Sequence, residues 1–209
     1  YENKVMTGST RTRSDVKREA IIQAATQAFQ EYGVNGTSMD KLAELANVSK
    51  RTVYNHFATK EDLVMHLITK QFEEAKLSIT VEYDSSRDLS EQLCELILQD
   101  IEFTVTESHL DIARVAIGHF FYEPEKLKDE VAQLKAQETA LHRWLKAAKA
   151  DKKNEFDDLS RVVDEIDSLV KGQCFWPQLF KINDVLSDRD KRNIAKNTVA
   201  LITSRYAVA

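Results

Sequence analysis

Residues 47–63 read NVSKRTVYNHFATKEDL, and between Val48 and Phe57 stand Ser49, Lys50, Arg51, Thr52, Tyr54, Asn55 and His56, nearly all of them hydrogen-bond donors. With a helical period, Val53 and Phe57 fall four apart on one face and leave the others free to point outward. Two apolar anchors and a crowd of donors suit a polar, anionic ligand shaped like a groove. Lys50 and Arg51 can donate to guanine N7 and O6 or to phosphate, Asn55 can pair with adenine, and Thr52 can meet a thymine methyl. Tyr54, His56 and Lys60 suit phosphate, which fixes position without specifying sequence. Taken alone, the same composition also describes a solvated surface helix, so the elements that hold the stretch must decide.

Those elements read as an ordered set. From Asp15 to Tyr32 the residues Ile21, Ile22, Ala25, Ala28, Phe29 and Tyr32 follow a helical period, and Gly33 stops the run. The stretch TSMD predicts a second helix capped by Thr37 with Asp40 reaching back, two turns long through Leu42, Ala43, Leu45 and Ala46. Its first amides, with Thr37 and Ser38, make a further phosphate site. Asn47 tolerates the left-handed conformation of a sharp turn, Ser49 caps the third helix, and Thr59 opens a fourth whose stripe runs from Leu63 toward Leu77. A short helix, a tight turn and a second short helix form the unit that seats its second helix in a DNA major groove.

Five glycines and two prolines in 209 residues leave little to interrupt helices, and the predicted fold is all-α with about nine helices. After the fourth helix, five more are predicted at roughly 87–107, 110–122, 125–150, 157–180 and 187–207. Trp176-Pro177 is expected to break or kink the penultimate one. The domain reading is a loose arm over residues 1–14 carrying Arg11 and Arg13, a helix-turn-helix domain over 15–63, and a larger helical domain over 64–209.

The net charge of −5 conceals a division. Residues 1–64 hold nine Lys/Arg against eight Asp/Glu, whereas the remaining residues hold 20 against 26. Residues 47–60 carry Lys50, Arg51 and Lys60 with no acid. A local basic patch on an acidic body still binds phosphate, because salt screens charges beyond about 10 Å at ~0.1 M. Two separated cysteines, Cys94 and Cys174, no long apolar run and no apolar leader fit a soluble, reduced, cytoplasmic protein without a membrane partner.

The run AIIQAATQAFQEYGVNGTSMDKLAELANVSKRTVYNHFATKEDL resembles the N-terminal DNA-binding domain of the TetR family of transcriptional regulators. The resemblance lies in an Ala-Phe then Gly in the first helix, Thr before the second, VSKRTVYNHF as recognition helix and KEDL opening the fourth. Asn47 stands where the family often has Gly, and His56 where Tyr is frequent. FYEPEKLK and GQCFWPQLF look like the AefR-like branch of the family. The resemblance implies DNA contacts around Thr37, Lys50, Arg51, Thr52, Tyr54, Asn55, His56 and Lys60. It also implies a homodimer built by the last two helices, which the apolar Val162, Val163, Ile166, Leu201 and Ile202 support on their own account.

An effector pocket is expected in the middle helices, where aromatic residues gather. Phe103, His119, Phe121, Tyr122, Phe175 and Trp176 are its candidates, with ordinary core packing as the alternative for each ring. The partners expected are therefore an operator duplex, a second copy of the chain and a small molecule. Regulation without an effector, or through Cys94 or Cys174 as a redox sensor, are the rival readings. No cofactor or metal is expected, and no enzyme: the sequence has no Gly-rich phosphate loop and no metal-ligand spacing, and His109, His119 and His142 lack a nucleophile nearby in sequence.

Overall fold

The computed structural model describes residues 12–121, 138–151 and 158–206, and among these every regular element is a helix. The helices are α1 (Arg13–Tyr32), α2 (Met39–Leu45), α3 (Lys50–His56), α4 (Lys60–Ser78), α5 (Leu89–Thr104), α6 (Glu107–Phe120), α7 (Ala140–Ala150), α8 (Leu159–Val170) and α9 (Asp188–Arg205). The chain forms two compact units, residues 1–67 and 68–209, so the division falls within α4, four residues beyond the expected boundary after residue 63. Most of the expected arm, FYEPEKLK, and the first part of the helix expected over 125–150 lie outside the described residues.

In the first unit, α1 begins earlier than its apolar period suggests. Thr12 accepts from the amide of Asp15 and the Asp15 carboxylate takes the Thr12 amide, so a capping box draws Arg13 and Ser14 into the helix. Gly33, at φ 69°, closes it with a bond from its amide to the Phe29 carbonyl. Ile21, Ile22, Ala25, Ala28 and Phe29 are buried as the periodicity requires, and Leu42, Ala43, Ala46, Val53 and Phe57 complete the core beneath α2 and α3. Tyr32 departs from the stripe, lying 44% exposed with the Lys41 ammonium 3.4 Å from its ring centre.

In the second unit, α5 and α9 pack together, α8 packs against α7 and α9, and one core runs through Leu93, Leu96, Ile101, Trp144, Leu145, Val162, Ile166, Ala195 and Ile202. The break expected at Trp176-Pro177 takes a particular form. After Val170 the helix widens into a π-helical stretch, Lys171–Phe175, in which the Trp176 amide reaches the carbonyl of Lys171, and a final turn, Trp176–Leu179, follows. Pro177 has no amide to give to the preceding turn and its ring would crowd the carbonyl four residues back; the wider turn relieves both conflicts. Lys181, at φ 53°, then turns the chain away. Leu77, expected on the stripe of α4, is 80% exposed.

Asn47 has φ 51°, the left-handed backbone that the link between α2 and α3 demands. Replacing it tests that demand in chemical unfolding. Asn47→Gly is expected to leave stability within about 0.5 kcal/mol, whereas the β-branched Asn47→Val should cost about 1–2 kcal/mol. Equal stabilities would show that the turn tolerates either backbone.

Candidate functional site

The polar stretch that opens the sequence folds as α3, and its two anchors lie inward: Val53 is fully buried and Phe57 is 5% exposed. The far end of the helix is fixed by three elements meeting on Phe57. The guanidinium of Arg18 from α1 lies 5.0 Å from the Phe57 ring centre, and the His66 ring from α4 lies 5.6 Å from it. Arg18 also lies against His66, with its terminal nitrogens 3.4 and 3.3 Å from the two ring nitrogens. At the near end Ser49 accepts from the Thr52 amide, and the two hydroxyls are 2.8 Å apart. Thr52 thus has its hydroxyl engaged at the cap.

With α3 held this way, Arg51, Tyr54 and Asn55 are exposed and make no hydrogen bond or ion pair among the described residues. These three are the donors left open for a ligand, while His56 is half-buried beside them. Lys50 is exposed but its ammonium is 2.7 Å from the Asp40 carboxylate on α2, whose attraction raises the lysine pKa. Both groups lie well out in solvent, where such a pair is weak enough for a phosphate to compete for the lysine.

Two assignments need correcting. Thr37 does not cap α2 and cannot place its side chain on a ligand. It is 1% exposed, with its hydroxyl donating to the carbonyls of Ala28 and Gly33, so it ties the end of α1 to the next loop. Ser38 is the cap instead, accepting from the Lys41 amide, and Asp40 turns toward Lys50 rather than back to the cap. Lys60 is likewise engaged, donating to the Val34 carbonyl at 2.7 Å, so it braces the loop after α1 rather than standing free for phosphate. Thr59 does cap α4, in a reciprocal pair with Asp62.

The aromatic residues of the second unit do not form one wall. Phe103 and Phe175 both lie against His109, with ring centres 5.0 and 6.0 Å from it, and the Trp176 ring centre lies 5.0 Å from that of Phe175. Phe121 is 71% exposed and lines no interior, and Tyr122 lies outside the described residues. His119 is buried beside Phe120, and its Nε2 has no hydrogen-bond partner. His109 was not among the pocket candidates because a single histidine between apolar residues gives no spacing signal. Burial, with Lys171 nearby, depresses its pKa to about 4, so at neutral pH it is an uncharged imidazole.

The residues expected to pair two copies divide as well. Val162 and Ile166 are buried within the chain's own core and are not available to a partner, whereas Val163 is half-buried, Leu201 is 55% exposed, and Ile202, though buried, still lines the groove beside it. Between α8 and α9 lies an open groove of about 750 Å³, lined by Leu169, Leu201 and Ile202 with Arg161, Glu165 and Arg205 at its charged edge. Glu165 accepts from Tyr206 and Arg161 and forms an ion pair with Arg205, and together they hold its carboxylate below the usual range.

No described helix is long and apolar enough to cross a membrane, and no described group of His, Cys, Asp and Glu could hold a metal ion. The two units define a helix-turn-helix protein with a separate all-α C-terminal domain. The family model for bacterial regulatory proteins of the tetR family matches residues 21–67, and that for the C-terminal domain of AefR-like transcriptional repressors matches residues 91–208. The chain belongs to the TetR family of DNA-binding transcriptional regulators, in its AefR-like branch.

Among solved structures, a TetR family regulator from Pseudomonas syringae pv. tomato is 30% identical, with a TM-score of 0.79 over 92% of this chain and 97% of its own. The flavonoid-responsive regulator FrrA is 26% identical, with a TM-score of 0.76 over 91% of this chain and 97% of its own. The HTH-type regulator YhgD of Bacillus subtilis is 32% identical over 90 residues, 43% of this chain and 47% of that protein, so the chain spans about half the length of this curated relative. These relatives are regulators of transcription and not enzymes.

Burial holds both cysteine thiols protonated. Burial pushes the Cys174 thiol up to about 12, with the Asp100 carboxylate acting in the same direction, and burial also raises the partly covered Cys94. Titration of the native protein with Ellman's reagent is expected to label Cys94 slowly and Cys174 only after unfolding. Rapid labelling of Cys174 in the native state would contradict its burial.

Proposed function

We propose that this regulator is a cytoplasmic repressor that binds a pseudo-palindromic operator as a homodimer and leaves it when a small apolar or amphipathic molecule occupies the C-terminal unit. The observation that carries the DNA half is α3 itself, with Arg51, Tyr54 and Asn55 unpaired on the outside while Val53 and Phe57 are buried beneath. Arg51 and Asn55 have the side chains that read guanine and adenine edges, and Tyr54 suits phosphate. Ser38, Ser49, Lys50, Thr52 and His56 border this face and complete its contact with the duplex backbone. Two copies related by a two-fold axis set their α3 helices about 34–36 Å apart, or a multiple of it, to read two half-sites.

The groove between α8 and α9, lined by exposed Leu201 and half-buried Leu169, is the surface on which the second copy is proposed to sit, with half-buried Val163 on the same helix as Leu169. The name of FrrA supports an aromatic effector by analogy, and the aromatic residues around His109 supply a setting for one. For release, the effector must favour one separation of the two α3 helices over the other, because equal affinity for both shifts nothing. The fourth helix belongs to both units and is the route proposed for that signal.

Selection from a random duplex library with the full chain, followed by anisotropy titration, tests the DNA reading. Arg51→Ala is expected to lose at least about tenfold on the selected duplex and little on scrambled DNA, while Lys50→Ala weakens both alike and flattens the salt dependence. Equal losses on both duplexes from both variants would contradict the division between base and phosphate contacts. Sedimentation at micromolar concentration tests the pairing: the wild type is expected as a dimer and Leu201→Arg as a folded monomer. A wild-type monomer, or a Leu201→Arg dimer, would overturn the assigned surface.

A further inference from the structure

From Val162 to Phe180 the chain keeps two rows of residues in step. Val162, Ile166, Val170, Cys174 and Gln178, each four residues on from the last, are all buried. Asp164, Ser168, Gly172, Trp176 and Phe180, midway between them in the same rhythm, are all exposed. A four-residue step overshoots one turn of an α-helix, so in an unbroken helix both rows would wind around the axis. The wider turn at Lys171–Phe175 takes up that excess, and the outward row runs on from α8 to the end of the final turn. It begins in the groove, which Asp164 and Ser168 line, and ends on two aromatic rings. Trp176 is 44% and Phe180 61% exposed, and their rings stack 16° from parallel with centres 6.0 Å apart. The backbone beneath them is fixed. The Arg114 guanidinium donates to the carbonyls of Leu179 and Gln178 at 2.8 and 3.0 Å, and the Gln178 amide donates to the Asp184 carbonyl at 2.8 Å.

Ordered aromatic rings left in solvent, on a row continuous with a groove, mark a surface made for a partner. We propose that the same row of a second copy covers them, so that α8 and its extension cross their counterpart at Gly172, and Trp176 and Phe180 form the apolar centre of the pair. This rests on the homodimer reading and adds where that dimer is held. Stable pairs bury about 800 Å² on each partner around aromatic or aliphatic anchors. Among the residues lining the groove only Leu169, Leu201 and Ile202 are apolar, and the ring pair at the end of the same row supplies the anchor that the groove lacks. Gly172 supports the same crossing. Its φ is not positive, and a Cβ there would meet no atom within 4 Å, so nothing inside the chain calls for glycine at a helical position that glycine weakens. Close approach of another backbone does call for it. The groove end is also self-complementary in charge, with Arg161 and Arg205 beside Asp164 and Glu165, so two copies meet there without net repulsion.

Sedimentation over a dilution series and acrylamide quenching, both on the full chain, test the surface together. Trp144 and Trp176 are the two tryptophans, and Trp144 is 2% exposed, so quenching reports on Trp176. Trp176 is expected to be shielded from acrylamide in the dimer and open to it in the dissociated chain. Trp176→Ala should weaken the dimer at least about thirtyfold, the loss that an interface anchor brings. Gly172→Leu, which meets open space within one chain, should weaken it by a similar factor. Circular dichroism establishes that both variants keep the helical fold. A wild-type dimer in which acrylamide reaches Trp176 freely, or a dimer of unchanged strength in either variant, would overturn this surface and leave the homodimer standing. A wild-type monomer at micromolar concentration would instead overturn the homodimer reading, and this surface with it.

Discussion

The orientation of the polar face of α3 depends on the burial of Val53 and Phe57. A helix of seven residues has little stability of its own, because few hydrogen bonds offset the cost of starting it. Its conformation is supplied by what it packs on. Val53 meets the core of the first unit, and Phe57 is gripped at the helix end by Arg18 and His66. Asn47 sets the direction of entry, and Ser49 closes the first turn. These fixtures determine which way Arg51, Tyr54 and Asn55 face, and long side chains presented from a fixed backbone lose less freedom on binding than those on a loop.

Local patterns were legible where the physics is local. The cap at Ser49, the reciprocal pair of Thr59 and Asp62, the left-handed Asn47 and the stop at Gly33 each follow from neighbours a few residues apart. Where two neighbours could do the same work, spacing could not choose: Thr37 and Ser38 both carry a hydroxyl before α2, and only burial shows that Thr37 faces the end of α1. Lys60 illustrates the other limit. Its partner is the carbonyl of Val34, distant in sequence, and nothing in a basic residue near a short polar helix foretells that it braces a loop.

In the second unit, periodicity found the helices but not their neighbours. Val162, Ile166 and Ile202 look the same in sequence whether they face the subunit's own core or another copy, and here they face the core. On α9 the buried face runs through Ile194, Ala195, Thr198, Val199 and Ile202, which leaves Leu201 outside.

Amide hydrogen exchange of the full chain, with and without a duplex selected from a random library, tests the central claim most directly. If the anchored α3 presents its polar face to DNA, the amides of residues 49–57 and the start of α2 become slower to exchange with the duplex bound. Protection confined to the second unit, with α3 unchanged, would contradict the account.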